Sequence, residues 1–208
     1  MKRISKWCPN DYEHAYWPQG KMIVGIDEAG RGPLAGPLSV GGVVFPSGYE
    51  NFDIYDSKAL SEKKREEMYK IIMEDALWFE ILEISVEEID RLNILEADRK
   101  AMKQIAEDAP AEIILTDAMS FQVDGKTTVD LIKGDQKSVS IAAGSILAKV
   151  TRDRIMVQYS KEYPEYGFEK NKGYGTKQHM EAIHAYGITP IHRRSYAPVR
   201  VVQEELKL

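Results

Sequence analysis

Residues 22–32 read MIVGIDEAGRG, an apolar run that ends in two acids and a glycine-arginine-glycine segment. The continuous apolar stretch 22–26 predicts a central strand that is buried on both faces of a sheet. Asp27 and Glu28 close this strand. Because consecutive strand residues point to opposite faces, Glu28 can share a site with Asp27 only if the strand ends or bends there. The two glycines that follow allow such a bend.

The rest of the chain predicts an α/β fold, a mixed sheet flanked by helices with a small C-terminal helical element. Strands are predicted at 38–45, 77–85 and 113–116, followed by a hairpin around Asp124-Gly125 and a further strand within 120–133. Helices are predicted at 61–76, 92–108, 138–159 and 176–187, the last between a capping Thr176 and a terminating Gly187. We expect an N-terminal arm over 1–20 and one catalytic domain over 21–208.

Composition places few limits on function. The chain has 208 residues, 43% of them hydrophobic and 29% charged, and no apolar run approaches the roughly 18 residues of a membrane span. A basic start without an apolar segment behind it predicts a cytoplasmic protein without a signal peptide. The lone Cys8 excludes an internal disulfide and fits a reducing compartment.

Charge is unevenly distributed along the chain. The net charge is −5, but residues 1–125 carry 14 Lys and Arg against 24 Asp and Glu, whereas residues 126–200 carry 13 against 7. This asymmetry indicates a local basic surface in the second half. On its own it is a modest signal, since charge blocks are usually solvated faces.

Two further acids resemble Asp27 and Glu28 in their placement. Asp117 ends the strand at 113–116, and Asp135 lies just before the longest predicted helix. Acids at strand ends are usually solvated, but the ends of buried strands are also where sites of α/β sheets assemble. Four converging carboxylates would repel one another unless cations bind between them. Hard oxygen ligands with few histidines favour Mg²⁺ or Mn²⁺ over Zn²⁺.

The glycines of 30–36 also suggest a dinucleotide-binding loop, which we disfavour. Their spacing is wrong, Pro33 and Pro37 remove backbone donors that a pyrophosphate needs, and a strand follows where a helix is required. The segment is better suited to bringing backbone atoms close to a bulky ligand.

Several long segments, in one order, resemble the ribonuclease HII family (type 2 ribonuclease H) over about residues 21–200. They are GIDEAGRGPLAGP at 25–37, DSK at 56–58, TD at 116–117, KGDQKS at 133–138, AAGSILAKV at 142–150, KGYGT at 172–176 and PIHRRS at 190–195. The resemblance implies a ribonuclease H-like fold. It also implies that four metal-binding and catalytic carboxylates fall on Asp27, Glu28, Asp117 and Asp135, with Asp27 bridging two metals.

The same resemblance assigns residues to substrate recognition. It implies that Gly30, Arg31 and Gly32 read the 2′-hydroxyl of a ribonucleotide and that Tyr174 packs on the sugar of the neighbouring deoxynucleotide. The sister type, ribonuclease HIII, lacks the glycine-arginine-glycine segment. We expect weaker phosphate contacts from Lys58, Lys172, Lys177, Arg193 and Arg194, for which a solvated surface is the plain alternative. Ser138 is expected to cap a helix, and His179 and His184 to be core or surface histidines.

The function implied by the resemblance is hydrolysis of the phosphodiester on the 5′ side of ribonucleotides, leaving 3′-hydroxyl and 5′-phosphate ends. The substrates would be RNA–DNA hybrids and duplex DNA with single embedded ribonucleotides, as in ribonucleotide excision repair and RNA primer removal. We expect a monomer without membrane contact. The ending at 203–208 faintly resembles a tail that makes a weak sliding-clamp contact, although an ordinary helix end is favoured. The longer C-terminal helical extension of some family members is expected to be reduced.

Three alternatives remain open at this stage. They are a resolvase or transposase on a related fold, a nicotinamide-dependent dehydrogenase, and a non-catalytic nucleic-acid-binding module. The glycine-arginine-glycine segment and the Tyr174 motif argue against the first, and the strand after the glycines argues against the second. The third would not need four carboxylates beside phosphates, and a metal titration of cleavage distinguishes it.

Overall fold

The central strand predicted from residues 22–26 is strand β1, Ile23–Ala29, in a computed structural model that describes residues 7–205. The other strands are β2 Leu38–Val44, β3 Trp78–Ile84, β4 Ile113–Asp117 and β5 Thr127–Leu131. They form a mixed five-stranded sheet in the order β3-β2-β1-β4-β5. Strands β1 and β4 are parallel, as are β4 and β5. The carboxyl ends of these three strands therefore lie at one edge of the sheet.

Eight α-helices are described within residues 7–205. They are α1 Asp11–Tyr16, α2 Glu62–Asp75, α3 Val86–Leu92, α4 Ile94–Asp108, α5 Val139–Glu162, α6 Phe168–Asn171, α7 Lys177–Tyr186 and α8 Ala197–Glu205. Short 3-10 turns occupy Trp17–Gln19, Gly134–Gln136 and Pro164–Tyr166. Thr176 caps α7, as the sequence predicts, and Ser61 caps α2. Each accepts a backbone N–H three residues on.

The chain divides into two compact units. The first comprises residues up to Ala29, Val40–Leu82 and Arg99–Val150, and the second comprises Gly30–Ser39, Glu83–Asp98 and residues from Thr151 onward. The core of the first unit gathers apolar residues of β1, β2, β4, α2 and the first half of α5, together with Cys8 and Trp17. The second unit has its own core around Phe168, Ile183 and Val199. The division into an arm of 1–20 and a domain of 21–208 stays a prediction.

Helix α5 packs closely on the sheet because small residues line their contact. A Cβ on Gly25 would lie 2.1 Å from the carbonyl carbon of Ser140, and a Cβ on Gly144 would lie 2.6 Å from the carbonyl oxygen of Gly41. Neither distance is tolerable for a real side chain, so these glycines allow backbone to meet backbone. The sequence predicts this close approach from the small residues of the helix.

Two predicted elements differ from the structure. Residues 118–126 form no strand, so the hairpin expected around Asp124-Gly125 is wrong, and β5 instead pairs in parallel with β4. The helix expected from 92 to 108 begins at Ile94, after a separate α3 that ends at Leu92. Asn93, with φ 69° and ψ 161°, breaks the two apart. Among residues 7–205, no helix combines the length and the hydropathy that crossing a membrane requires.

Candidate metal centre and substrate loops

Two adjacent parallel strands bring Asp27 and Asp117 to the same edge of the sheet. In the register of β1 with β4, Ile26 pairs with Thr116, and each acid follows one residue later. Asp27 is buried, at 3% exposure, whereas Asp117 is partly exposed. The placement follows from sequence because parallel neighbours in register end together.

Asp135 completes the group from the 3-10 turn Gly134–Gln136, which precedes α5. The backbone N–H of Gly134 donates a hydrogen bond of 2.8 Å to Asp117 Oδ1, which ties this turn to the end of β4. One carboxylate oxygen from each of Asp27, Asp117 and Asp135 lies within 4.8 Å of the others. We call these three residues the acidic trio.

Crowding raises the pKa of two members of the acidic trio, Asp27 and Asp135. Burial, followed by the charges of Glu28 and Asp117, raises the pKa of Asp27 well above its usual range. Burial, followed by Asp56 and Asp117, raises the pKa of Asp135 to about 6. These directions are what unneutralised, desolvated carboxylates produce. A cation between the oxygens would reverse them.

Lys58 faces this negative field, although its side chain is exposed. Burial lowers its pKa, but the charges of Asp27, Asp135, Asp56 and Glu28 outweigh that effect and raise it. Lys58 therefore stays protonated beside the acidic trio, which suits a side chain that contacts a phosphate.

Glu28 lies outside the acidic trio. Strand β1 continues through Ala29 without ending at Asp27, so the alternation of strand side chains applies to the two acids. Glu28 is partly exposed, and its backbone N–H donates to Asp27 Oδ1 at 2.7 Å. Its charge nevertheless raises the pKa of Asp27. Glu28 thus influences Asp27 through its charge but contributes no oxygen to the acidic trio in this structure.

Hydroxyl and amide groups orient the carboxylates through hydrogen bonds. The Ser145 side chain hydrogen-bonds Asp27, and Ser145 Oγ lies 3.0 Å from Ser57 Oγ. The Gln136 amide donates to Asp56 at 3.1 Å, which places this additional acid beside Asp135. Sequence reasoning did not single out Ser145 or Asp56 as site residues. Their positions inside the motifs at 142–150 and 56–58 were the available signal.

The N-terminal residues support the segment that carries Asp135. Nothing in the sequence indicated this role. Asn10 accepts from the backbone N–H of Val139 at 2.9 Å, and the Glu13 carboxylate accepts from Ser140 N at 3.2 Å and from the Ser138 hydroxyl. The Cys8 thiol donates to the carbonyl of Asp135 at 3.5 Å. These bonds fix the turn that carries Asp135 and the start of α5.

The first turn of α5 therefore has a partner for each of its leading donors. Ser138 Oγ accepts from Ile141 N at 3.1 Å, which confirms the expected helix cap, and Asn10 and Glu13 take the other two. Glu13 is fully buried, and burial raises its pKa while the bond from Ser138 lowers it. The polar residues 10–13 form no sequence pattern that predicts these hydrogen bonds to α5.

The acidic trio fits a hard divalent cation. Its donors are carboxylate oxygens, the ligands that Mg²⁺ and Mn²⁺ prefer, and two of the three side chains are buried. Three carboxylates at this separation are mutually destabilising without a neutralising charge. The residues present therefore match in chemistry the divalent ions expected from the sequence, with three of the four predicted carboxylates in the group.

In the second unit, the glycine-arginine-glycine segment lies against Tyr174. A Cβ built on Gly32 would be 3.4 Å from a ring carbon of Tyr174, so the aromatic ring packs on bare backbone there. The Tyr174 side chain remains 47% exposed. Gly30 has φ +113°, a conformation that side chains avoid, and its missing Cβ leaves room for Arg152. Arg31 Nε lies 3.5 Å from the buried carboxylate of Asp98.

The predicted phosphate contacts occupy different environments. Arg193 is fully buried, and its guanidinium donates to the carbonyls of Arg31, Gly36 and Pro37 rather than facing solvent. Arg194 is exposed, and its backbone N–H donates to Asp90.

Two of the three lysines expected to reach phosphates, Lys172 and Lys177, have other contacts. Lys172 donates to the carbonyl of Glu169, and Lys177 pairs with Glu181 at 3.7 Å on the surface. His179 is a buried core residue whose ring nitrogen lies 3.0 Å from that of His192, whereas His184 is exposed.

Comparison with known proteins agrees with this geometry. The sequence model of the family described as Ribonuclease HII matches residues 24–199. A ribonuclease HII of Bacillus velezensis is 53% identical over 182 residues, covering 86% of this chain and 71% of the relative. The ribonuclease H2 crystal structure from Pyrococcus horikoshii OT3 superposes with a TM-score of 0.78 at 25% identity, covering 89% of this chain and 99% of that one.

A second solved structure, the PCNA:RNase HII complex from Archaeoglobus fulgidus, gives a TM-score of 0.74 at 28% identity, with 88% of this chain and 97% of that one covered. The sheet order, the motifs and these similarities agree over most of the chain. The chain belongs to the ribonuclease HII family and is a ribonuclease H, a hydrolase that cuts within nucleic-acid strands.

Proposed function

We propose that this protein hydrolyses the phosphodiester on the 5′ side of ribonucleotides, both in RNA–DNA hybrids and at single ribonucleotides embedded in duplex DNA. The products would carry a 3′-hydroxyl and a 5′-phosphate. Such an activity would serve ribonucleotide excision repair and RNA primer removal. The family membership supports the reaction class, and the substrate choice rests on the residues of the second unit.

The acidic trio is the observation that carries the chemistry. We infer that Asp27, Asp117 and Asp135, together with Glu28, hold two divalent ions, Mg²⁺ or Mn²⁺. When bound, such ions make a hydroxide nucleophile available near neutral pH and stabilise the leaving oxygen of an in-line displacement. A binding module without chemistry would gain nothing from buried carboxylates beside a phosphate.

The chain's own groups hold the carboxylates ready. Ser145 orients Asp27 and Gly134 N–H orients Asp117, so neither acid must reorganise on binding a cation. Lys58 offers a positive charge next to the acidic trio for a non-bridging phosphate oxygen. Each group is placed before substrate arrives, which is the condition for electrostatic catalysis.

Substrate choice would come from the loops of the second unit. Gly30, Arg31 and Gly32 present backbone that can approach a 2′-hydroxyl closely, since two of the three residues lack a side chain. The exposed ring of Tyr174 offers a flat apolar face for the next sugar. We propose that these groups act together, because the ring of Tyr174 packs on Gly32. Arg193 supports this loop from inside, and Arg194 stays a proposed phosphate contact.

The test is nicking of a duplex that contains one ribonucleotide, incubated with Mg²⁺ and compared with an all-DNA duplex of the same sequence. We expect a nick only in the first, on the 5′ side of the ribonucleotide, with fragment ends identified by mass spectrometry. Asp27→Asn should abolish cleavage while duplex binding, measured by anisotropy, stays close to wild type. Turnover by Asp27→Asn at the wild-type rate would contradict the assignment of the acidic trio.

Two expectations about partners stay predictions. A weak sliding-clamp contact would use the C-terminal residues, of which 203–205 belong to α8 and 206–208 lie outside the described residues. The archaeal relative solved with PCNA makes this contact worth testing by pull-down with a clamp. The monomeric state is equally a prediction, and sedimentation velocity would test it.

A further inference from the structure

Two arginines are fully buried in the second unit. Arg152 is 1% exposed and Arg193 is 0% exposed. Burying a guanidinium is unfavourable unless its donors find acceptors. Burial, followed by the charge of Arg193, lowers the pKa of Arg152 to about 10, so the residue remains charged at neutral pH. Packing alone therefore does not explain why two arginines are buried in this unit.

The donors of Arg152 reach two different chain segments. Its Nε donates to Pro37 O at 2.9 Å and its Nη2 to Ala35 O at 3.0 Å, both in the segment that begins with Gly30-Arg31-Gly32. Its Nη1 donates to Lys172 O at 2.9 Å, two residues before Tyr174. The planar guanidinium therefore sets the separation of these two segments.

Further contacts strengthen the same connection. Leu34 N donates to Gly173 O at 2.8 Å, and the position of a Cβ on Gly173 would be 2.3 Å from Ala35 O. A Cβ on Gly30 would be 2.3 Å from Arg152 Nε, so this glycine makes room for the guanidinium. The glycines of the two segments thus fit around Arg152.

Arg193 and Tyr196 hydrogen-bond to the same segment. Arg193 donates to Gly36 O at 3.0 Å and to Pro37 O at 3.1 Å. The Tyr196 hydroxyl donates to Arg31 O at 2.5 Å and accepts from Arg193 at 2.9 Å. The carbonyl of Arg31, inside the proposed 2′-hydroxyl reader, is therefore fixed by buried side chains.

We propose that Arg152 is a positioning residue for substrate selection, which fixes Gly30-Arg31-Gly32 relative to Tyr174 and so determines the preference for an embedded ribonucleotide. The inference rests on the proposed function, since it assumes that these segments read the substrate. Arg152 itself does not touch the substrate. A lysine could not replace it, because one ammonium cannot occupy the three donor positions of a planar guanidinium.

The experiment measures kcat and KM of Arg152→Lys on two substrates, a duplex with one ribonucleotide and a hybrid with a continuous RNA strand. We expect the ratio of kcat/KM, single ribonucleotide over hybrid, to fall about tenfold or more, since a misplacement of roughly 1 Å can cost on the order of 100-fold. Arg200→Lys, an exposed arginine of α8, is the matched control and should keep the wild-type ratio. Mg²⁺ affinity, measured by calorimetry, should be unchanged in both variants.

Tyr196→Phe keeps the test valid if Arg152→Lys does not fold. It removes the hydroxyl that donates to Arg31 O and accepts from Arg193, and it should shift the ratio in the same direction by a smaller factor. Equal losses on both substrates, or an unchanged ratio in a folded variant, would overturn the inference. A wild-type enzyme that ignores embedded ribonucleotides would instead overturn the proposed function.

Discussion

Asp135 shows at the scale of one residue what burial and neighbouring acids do to a carboxyl group. Its carboxyl is buried beside Asp56 and Asp117, and its pKa is raised to about 6 from an ordinary value of 3.8. Between these two values the folded state holds a proton that the unfolded chain has released. The protonated Asp135 carboxyl therefore stabilises the folded state at low pH. This contribution to the free energy of unfolding is lost as the pH rises through about 6.

Replacing Asp135 by Asn should remove this loss in the metal-free protein. We expect the melting temperature of Asp135→Asn, relative to wild type in EDTA, to increase as the pH rises from about 4 to about 7, because asparagine does not ionise. Thermal denaturation across that range is the measurement. Asp130→Asn, an exposed acid of β5, serves as the control. A difference between Asp135→Asn and wild type that does not vary with pH would contradict the electrostatic account.

Single residues also mark the limit of sequence reasoning. The register that aligns Asp27 with Asp117 follows from strand ends, so their meeting could be predicted. Glu28 could not be placed, because its direction depends on where β1 stops, and β1 continues through Ala29. The burial of Arg193 was equally hidden, since an arginine in a motif gives no sign of whether carbonyls or phosphates will receive its donors.

At the scale of elements, the start of α5 depends on residues more than a hundred positions earlier. Asn10 has φ 57° and accepts the N–H of Val139, while its own N–H donates to Lys137 O at 3.1 Å. Asn10 thus supplies a helix cap from a distant part of the chain, whereas such caps are usually local. Because α5 follows directly on the turn of Asp135, this cap also supports the position of one member of the acidic trio.

Asn10→Ala should lower the free energy of unfolding by about 2 kcal/mol, combining roughly 1 kcal/mol for the lost cap with a similar cost for a left-handed alanine. Asn10→Gly keeps the backbone conformation and loses only the acceptor, so we expect it to fall between wild type and the alanine variant. Urea denaturation measures both. An alanine variant as stable as wild type would show that the arm does not support the helix.

Periodic elements were predictable, and those decided by tertiary contacts were not. Helices α2 and α7 carry their caps in sequence, at Ser61 and Thr176, and begin where expected. Asp124-Gly125 is a turn signal, but the strand after it, β5, pairs with the distant β4 and forms no hairpin. The arm contains α1, whose six residues are too few to give a helical pattern.

At the scale of the whole molecule, the opening motif is shared between the two units. The boundary falls between Ala29 and Gly30, so the acids Asp27 and Glu28 belong to the first unit and the glycine-arginine-glycine segment to the second. The sequence alone presented these as one motif. The structure places the carboxylates in one unit and the glycine-arginine-glycine segment in the other, each unit with its own core.

Divalent cations should stabilise the molecule as a consequence of this acidity. The acidic trio places one oxygen from each of three carboxylates within 4.8 Å of the others. Ions that bind only the folded state add about 2.7 kcal/mol at a concentration 100 times the Kd. For a chain of this size we expect a rise in Tm of roughly 5 to 10 °C.

Calorimetric scans with and without Mg²⁺, at matched ionic strength in NaCl, give the measurement. The rise should disappear in Asp27→Asn, which removes one charge and one ligand from the acidic trio. It should persist in Arg152→Lys, because the guanidinium that this variant loses bonds to Pro37, Ala35 and Lys172 rather than to these acids. An equal rise in Asp27→Asn and in wild type would mean that Mg²⁺ binds elsewhere, and it would remove the main support for the metal site.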